Sequence, residues 1–442
     1  MTVRPELVRS IGRWSLAGLV LNGIIGSGVF VQPGIVGGAL GWPAMFAWVL
    51  AAAFTATMIF SFAEVASRFT SAGGAYLYTQ LAFGRFAGLQ MGWMTYFVRA
   101  LSAAVQANLF TTYLAEFVPG ADQGLLAAGV TVLLIGLLAW VNVRSVKSGA
   151  RVSNLMAIVK ILPLLVFGIA GLAWIASGRM APPVVASDPS LTGWLRMLLL
   201  LMFAYGGFES ALIPMGEAKN PKRDAPFALM VGLSLVTLVY LAAQLTVLAT
   251  LTDPAANNRP LAEAARAMLG GKGAMFMTLA ALLSTYGWLA SNMLNVPRLS
   301  MAMADRGDLP SLFNRIHPVF RTPYISIIFF AALSVVLALQ SGLVQNLSLS
   351  AVSRLFTYGA VCAALPVFRR WDVTHPGRID QPGYRAPAGN LVAGLGVAIS
   401  LVLISRMTGR EAITLSVVVT IATIHWLSVR AKSTGHSAQD NA

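Results

Sequence analysis

Four ionisable residues stand inside otherwise apolar stretches. They are Arg99 in Tyr96-Phe97-Val98-Arg99, Lys160 in Ile158-Val159-Lys160-Ile161-Leu162-Pro163, Glu209 after Gly206-Gly207-Phe208, and Arg354 in Ser353-Arg354-Leu355-Phe356. A charge at the centre of a membrane helix costs about 2.5–3.5 kcal/mol even on lenient scales, so each is a candidate for function. Lys160 could carry a proton or lay its ammonium on backbone carbonyls; the alternative is a lysine whose stem reaches back to the interface. Glu209 reads as a protonatable gate or a counter-charge, or else as a carboxylate satisfied by neighbouring backbone or a basic residue. Arg99 either pairs with Glu209, neutralising both, or attracts a carboxylate brought by a ligand. Arg354 reads as a stabiliser of its own helix bundle.

Two glycine-rich segments could place such groups around a binding site. Gly23-Ile24-Ile25-Gly26-Ser27-Gly28-Val29-Phe30 has three glycines within six positions, each weakening a helix by about 1 kcal/mol relative to alanine. Phe203-Ala204-Tyr205-Gly206-Gly207-Phe208-Glu209 is a second weak point that ends in a carboxylate. Either segment alone could equally be a small-residue packing face. Two interruptions at corresponding places in a chain point instead to a midplane binding site, because irregular backbone survives at membrane depth only where it lines a cavity or is buried in protein. A broken helix offers free N–H groups and a positive dipole end to an anion, while its last carbonyls attract a cation. A free amino acid carries both charges on adjacent atoms. Glycine at Gly26 and Gly28 opens the backbone to such a ligand, and Ser27 adds a hydroxyl.

The elements that must position these residues are membrane helices. The chain has 442 residues, 57% hydrophobic, 11% charged, with 41 glycines, and a mean hydropathy of +0.73. A soluble domain is about 25% charged, so a disordered chain is excluded and a soluble enzyme disfavoured. Apolar segments at roughly 15–32, 43–66, 87–117, 124–142, 153–176, 194–215, 226–251, 274–303, 323–340, 343–367, 390–407 and 411–429 are each near the ~20 residues that cross hydrocarbon. The expectation is an all-α polytopic membrane protein with twelve spans. Residues 1–176 form the tail and spans 1–5, 177–367 spans 6–10, and 368–442 spans 11–12 with a C-terminal tail. No cleavage pattern follows the first apolar run, so it reads as a helix and not a secretory signal.

The net charge of +15 is mainly a topology signal. Arg4, Arg9, Arg13, Arg68, Arg85, Arg144, Lys147, Arg151, Lys219, Lys222, Arg223, Arg306, Arg315, Arg321, Arg369, Arg370, Arg378 and Arg385 fall before span 1 or after even spans, with Arg430 and Lys432 in the tail. The opposite loops hold far fewer, which puts both termini in the cytoplasm and argues against nucleic acid as a partner; the membrane expected is the plasma membrane. One cysteine and four scattered histidines give no metal site and no disulfide framework. Gly270-Gly271-Lys272-Gly273 lacks the spacing of a phosphate loop, and no hydrolase or metalloprotease motif is present. Neither an enzyme nor a cofactor is expected. A channel is disfavoured because no filter or ring of like charges is readable.

Several motifs in order resemble the amino acid-polyamine-organocation transporters, which have the five-plus-five inverted-repeat fold of the leucine transporter. They are Gly26-Ser27-Gly28-Val29-Phe30, Thr70-Ser71-Ala72-Gly73-Gly74-Ala75-Tyr76, Gly207-Phe208-Glu209-Ser210, Glu217-Ala218-Lys219-Asn220-Pro221-Lys222-Arg223-Asp224-Ala225-Pro226, and Pro297-Arg298 followed by Met303-Ala304-Asp305-Arg306-Gly307-Asp308-Leu309-Pro310. The resemblance implies a secondary amino acid carrier, a proton symporter or an exchanger, working by alternating access with helices 1 and 6 discontinuous. An amine exchanger or a non-transporting amino acid sensor are the alternatives on the same scaffold. It implies that Gly26, Ser27 and Gly28 hold the substrate carboxylate, with Ile24, Ile25 and Phe203 carbonyls near its ammonium. Phe203 matches an aromatic gate. Ala204, Tyr205, Gly206 and Gly207 complete the second broken helix, the two glycines bordering the side-chain pocket. Glu209 is similar to the gating glutamate of the bacterial arginine-agmatine exchanger, and Lys160 to a lysine of proton-coupled members. Tyr96, Arg99, Trp288 and Asn292 are expected around the pocket, and Glu217 opposite Lys219, Lys222 and Arg223 at an inner gate. The implied partners are a small-molecule substrate, the lipid bilayer and protons, and a homodimer is compatible.

Overall fold

The computed structural model describes residues 11–69, 74–144, 149–212 and 218–439, with side chains at 149–158, 221 and 429–439 left aside. Every regular element among them is helical: α1 (Arg13–Ile24), α2 (Gly28–Leu40), α3 (Ala44–Ala66), α4 (Gly74–Phe83), α5 (Arg85–Leu114), α6 (Gly124–Arg144), α7 (Gly149–Ala176), α8 (Leu191–Ala204), α9 (Pro221–Thr250), α10 (Pro260–Asp305), α11 (Tyr324–Gln340), α12 (Leu343–Thr374), α13 (Gly389–Ile404) and α14 (Gly409–Gln439). An isolated parallel bridge between Ile11 and Ala218 ties the chain ahead of α1 to the segment ahead of α9.

Among the described residues, eight helices are long and apolar enough to cross a membrane, and α1 with α2 make a ninth as a pair bent by 51°. The remaining expected spans fall short of that standard for separate reasons. α11 and α13 are apolar but have 17 and 16 residues, and α5 has 30 residues but is interrupted by Gln90, Arg99, Gln106 and Asn108. Large apolar side chains face outward, among them Leu133, Leu137 and Trp140 on α6, Ile169 and Leu172 on α7, and Ile413 and Ile424 on α14. A belt of this kind suits lipid and not water. The chain is a multi-pass membrane protein.

Many small residues go inward, together with aromatics such as Trp48, Phe62, Tyr205 and Tyr240. α1 packs on α7 and α9, α2 on α8, α3 on α9, and α5 on α10 and α12, so that the two glycine-broken segments lie at the centre of the bundle. α10 is two arms: Gly270 takes φ 67°, a conformation L side chains rarely adopt, and separates a short arm from the long span that follows.

Candidate functional site

The first break is Ile25-Gly26-Ser27, between α1 and α2. A helix end leaves its last carbonyls without partners in the helix, and here each is claimed by a side chain from elsewhere. Lys160 of α7, 1% exposed, places Nζ 3.5 Å from Asn22 O and 3.3 Å from Ile25 O. Trp288 Nε1 of α10 donates to Gly23 O at 3.3 Å, and the Tyr240 hydroxyl of α9 donates to Ile24 O at 3.3 Å and to Ala204 O at 3.1 Å. The ammonium thus sits on the negative end of the α1 dipole. Lys160 lies seven residues past Ser153 and does not snorkel. On the other side of the break the first-turn amides of α2 have no earlier turn to bond. Ser27 Oγ there is buried without a partner, as is Oε1 of Gln106. Trp288→Phe removes the indole donor together with part of a buried ring, and a loss of at least about 1 kcal/mol is expected from the thermal unfolding of purified protein; an unchanged midpoint means the Gly23 bond carries nothing.

The second break follows α8. Tyr205-Gly206-Gly207 leads into a 3-10 turn at Phe208–Leu212. The two broken helices meet backbone to backbone. A Cβ on Gly23 would lie 2.7 Å from Gly207 O, and one on Gly28 would lie 2.8 Å from Ala204 Cα. Gly23, Gly28 and Gly207 therefore serve close packing between helices, one of the two uses that the glycines allowed. Gly26 faces the Gln106 amide and Trp288, and Gly206 faces the Arg354 guanidinium.

The charged residues gather beside this crossing. Arg99 Nη2 donates to Glu209 Oε1 at 3.0 Å, while Glu209 Oε2 accepts from Gly207 N at 3.0 Å and from the Tyr358 hydroxyl at 2.7 Å. Of the readings open to Arg99, pairing with Glu209 is the one observed. Arg354 Nη1 approaches Glu209 Oε1 at 4.0 Å, its Nη2 donates to Ser102 Oγ at 2.9 Å, and its guanidinium lies 5.4 Å from the Phe203 ring centroid. The Ser102 bond ties α12 to α5, as expected of a residue that stabilises its bundle, and the guanidinium also faces Gly206 in the second break. Arg99, Glu209, Arg354, Thr95 and Thr357 line a cavity that continues to Gly74–Tyr76 of α4.

Other expected residues lie elsewhere. Tyr205 is in the core, edge-on to Trp48 and tilted against Tyr240, with its hydroxyl on Trp48 O. Tyr96 packs against Phe329 and Phe330 of α11, and Asn292 bonds back to Trp288 O in its own helix. Residues 70–73, Lys147 and Glu217 lie outside the described residues, so the inner gate expected at Glu217 does; Lys222 pairs with Asp380. No group of three metal-ligating side chains occurs among the described residues.

Three sets of residues escaped the sequence reading. Gln106 and Tyr240 carry no charge and sit in helices with no motif. The third is an ion network at the far end of α3. Glu64 accepts from Arg369 at 2.9 and 2.6 Å and from Ala386 N at 2.7 Å, and Arg68 forms a fork on Asp372 at 2.7 and 2.9 Å. Glu64 and Arg68 are four residues apart near the end of a span, a spacing that brings both to one helix face.

Residues 11–425 match the sequence profile of a family described as amino acid permease. The chain is similar to the serine/threonine exchanger SteT of Bacillus subtilis (strain 168), 30% identical over 342 residues, 76% of this chain and 77% of that protein. It is similar also to the large neutral amino acids transporter small subunit 2 of Oryctolagus cuniculus, 28% identical over 395 residues, 85% of this chain and 72% of that protein. The branched-chain amino acid permease BcaP of Bacillus subtilis (strain 168) is 24% identical over 423 residues, 91% of this chain and 89% of that protein.

Proposed function

The chain belongs to the amino acid permease family, and from that premise we propose that it is a secondary carrier binding a free amino acid at the two helix breaks and working by alternating access. The observation that carries the reading is the first break. At one side stands the partnerless Ser27 hydroxyl at the N-terminal end of α2, which suits a carboxylate; at the other stands the carbonyl end of α1, which suits an ammonium. The relatives are named for serine and threonine, large neutral and branched-chain amino acids, and this supports an amino acid as the cargo.

In this reading twelve spans form two five-helix repeats and a peripheral pair, with both termini cytoplasmic in the plasma membrane. Lys160 fixes the first break or carries the coupled proton, and Glu209 is the gate residue. Phe203, held under Arg354, closes over the substrate. An amine as cargo is disfavoured, since the charge cluster holds two guanidinium groups against one carboxylate.

The test is uptake of a panel of labelled amino acids into proteoliposomes, with and without internal amino acid and with an imposed proton gradient. Accumulation or exchange of at least one amino acid is expected. A panel in which none is moved or exchanged overturns the reading.

A further inference from the structure

We infer that the substrate of this chain has a side chain ending in a carboxylate, as glutamate and aspartate do; this rests on the carrier reading above and names its substrate class. The ground is an imbalance in the buried cluster. Arg99 and Arg354 are each 3% exposed and Glu209 9% exposed, and among the described residues Glu209 is the carboxylate within salt-bridge distance of either guanidinium. Two positive charges therefore face one negative charge out of water. An unmatched buried ion is costly, and a second carboxylate in the same cavity removes the surplus.

The hydrogen bonds show where that carboxylate goes. Both oxygens of Glu209 are engaged, Oε1 by Arg99 and Oε2 by Gly207 N and Tyr358. Arg354 is not. Its Nε is buried without a partner, and its Nη1 stands 4.0 Å from Glu209, beyond a hydrogen bond. Thr357, three residues on along α12 and 3% exposed, likewise has Oγ1 buried without a partner and lines the same cavity. A guanidinium with free donors in its planar fork is matched by a carboxylate, and the threonine hydroxyl can give a further donor.

The position is right for a side chain attached to an amino acid held at the break. Gly28, in the first turn of α2, packs on Ala204; Phe203 is its neighbour, and Arg354 lies over the Phe203 ring and against Gly206. The carboxylate pocket thus adjoins the backbone site through the second broken helix. Serine, threonine and branched-chain side chains, named for the relatives, would leave the surplus charge unmatched.

The experiment compares each acid with its isosteric amide, using the full-length protein in proteoliposomes: labelled L-glutamate against L-glutamine, and L-aspartate against L-asparagine. At least one acid is expected to be transported with a half-saturation concentration tenfold or more below that of its amide. Arg354→Gln is expected to abolish that preference, and Arg354→Lys, which keeps the charge without the fork, to retain part of it. Transport of neutral amino acids with neither acid competing at tenfold excess overturns the inference and leaves the carrier reading standing. Transport of no amino acid overturns both. An acid preference that survives Arg354→Gln overturns the assignment to Arg354. Should that variant fail to fold, the wild-type comparison of acid and amide still decides the substrate class.

Discussion

Replacing Gly207 by alanine is expected to destabilise the protein by about 4 kcal/mol or more, an effect reached only where several costs coincide. Gly207 has φ 111°, which an L side chain rarely adopts; strain of that kind costs about 1–3 kcal/mol. The added Cβ would also meet Gly23 O, with Gly23 C at 2.8 Å and Ile24 N at 3.4 Å. These are backbone atoms of the last turn of α1, and they cannot swing aside as the end of a flexible side chain does. Overpacking of this sort adds about 1–3 kcal/mol. Relief would require the two broken helices to move apart and release the bonds that Trp288, Tyr240 and Lys160 make around them. Thermal unfolding in detergent measures the effect, with Gly136→Ala as the comparison, since a Cβ at Gly136 meets nothing within 4 Å. Wild-type unfolding and uptake by Gly207→Ala would show that the crossing is not a tight backbone contact.

Lys160→Met is expected to separate stability from transport. The thioether keeps most of the stem volume and removes a buried ammonium whose partners among the described residues are the carbonyls Asn22 O and Ile25 O. Charge-assisted bonds of this kind contribute about 1.5–3 kcal/mol. Removing the charge also removes its desolvation penalty, so the unfolding midpoint should stay near wild type. Uptake should fall by tenfold or more, because the carbonyl end of α1 then loses the group that fixes its direction at the break. Proteoliposome uptake across a range of pH checks this; undiminished uptake with unchanged pH dependence refutes a role for Lys160 in either fixing the break or coupling protons.

The outcome for these residues shows how far a one-dimensional reading reaches. Lys160, Glu209, Arg99 and Arg354 were visible because a charge in an apolar run violates the local pattern and its cost is independent of the neighbours. The breaks were visible for the same reason, since glycine weakens a helix wherever it occurs. What each group would touch was not visible. Lys160 reaching Asn22 O spans 138 positions and Arg99 reaching Glu209 spans 110, and no spacing rule extends that far. Gln106 and Tyr240 were overlooked because an uncharged polar or aromatic residue in a membrane helix is ordinary until the helix beside it is known. Tyr96 packs on α11 and lines a small cavity there, and Asn292 bonds to its own helix; no spacing in the sequence announces either arrangement.

Membership of the membrane class and the two weak points in helices 1 and 6 follow from composition and local helix energetics alone, and these hold in any packing. The excess of +15 divided in the same way along the chain, leaving a few charges in the apolar runs. Whether the glycines would open the backbone to a ligand or press two backbones together depended on rotation and crossing of helices distant in sequence. Gly26 faces Gln106 and Trp288, whereas Gly23, Gly28 and Gly207 face other main chain. The same holds for charge. Counting finds two arginines and one glutamate, but only their convergence at one end of the broken sixth span turns that count into an unmatched guanidinium beside a cavity.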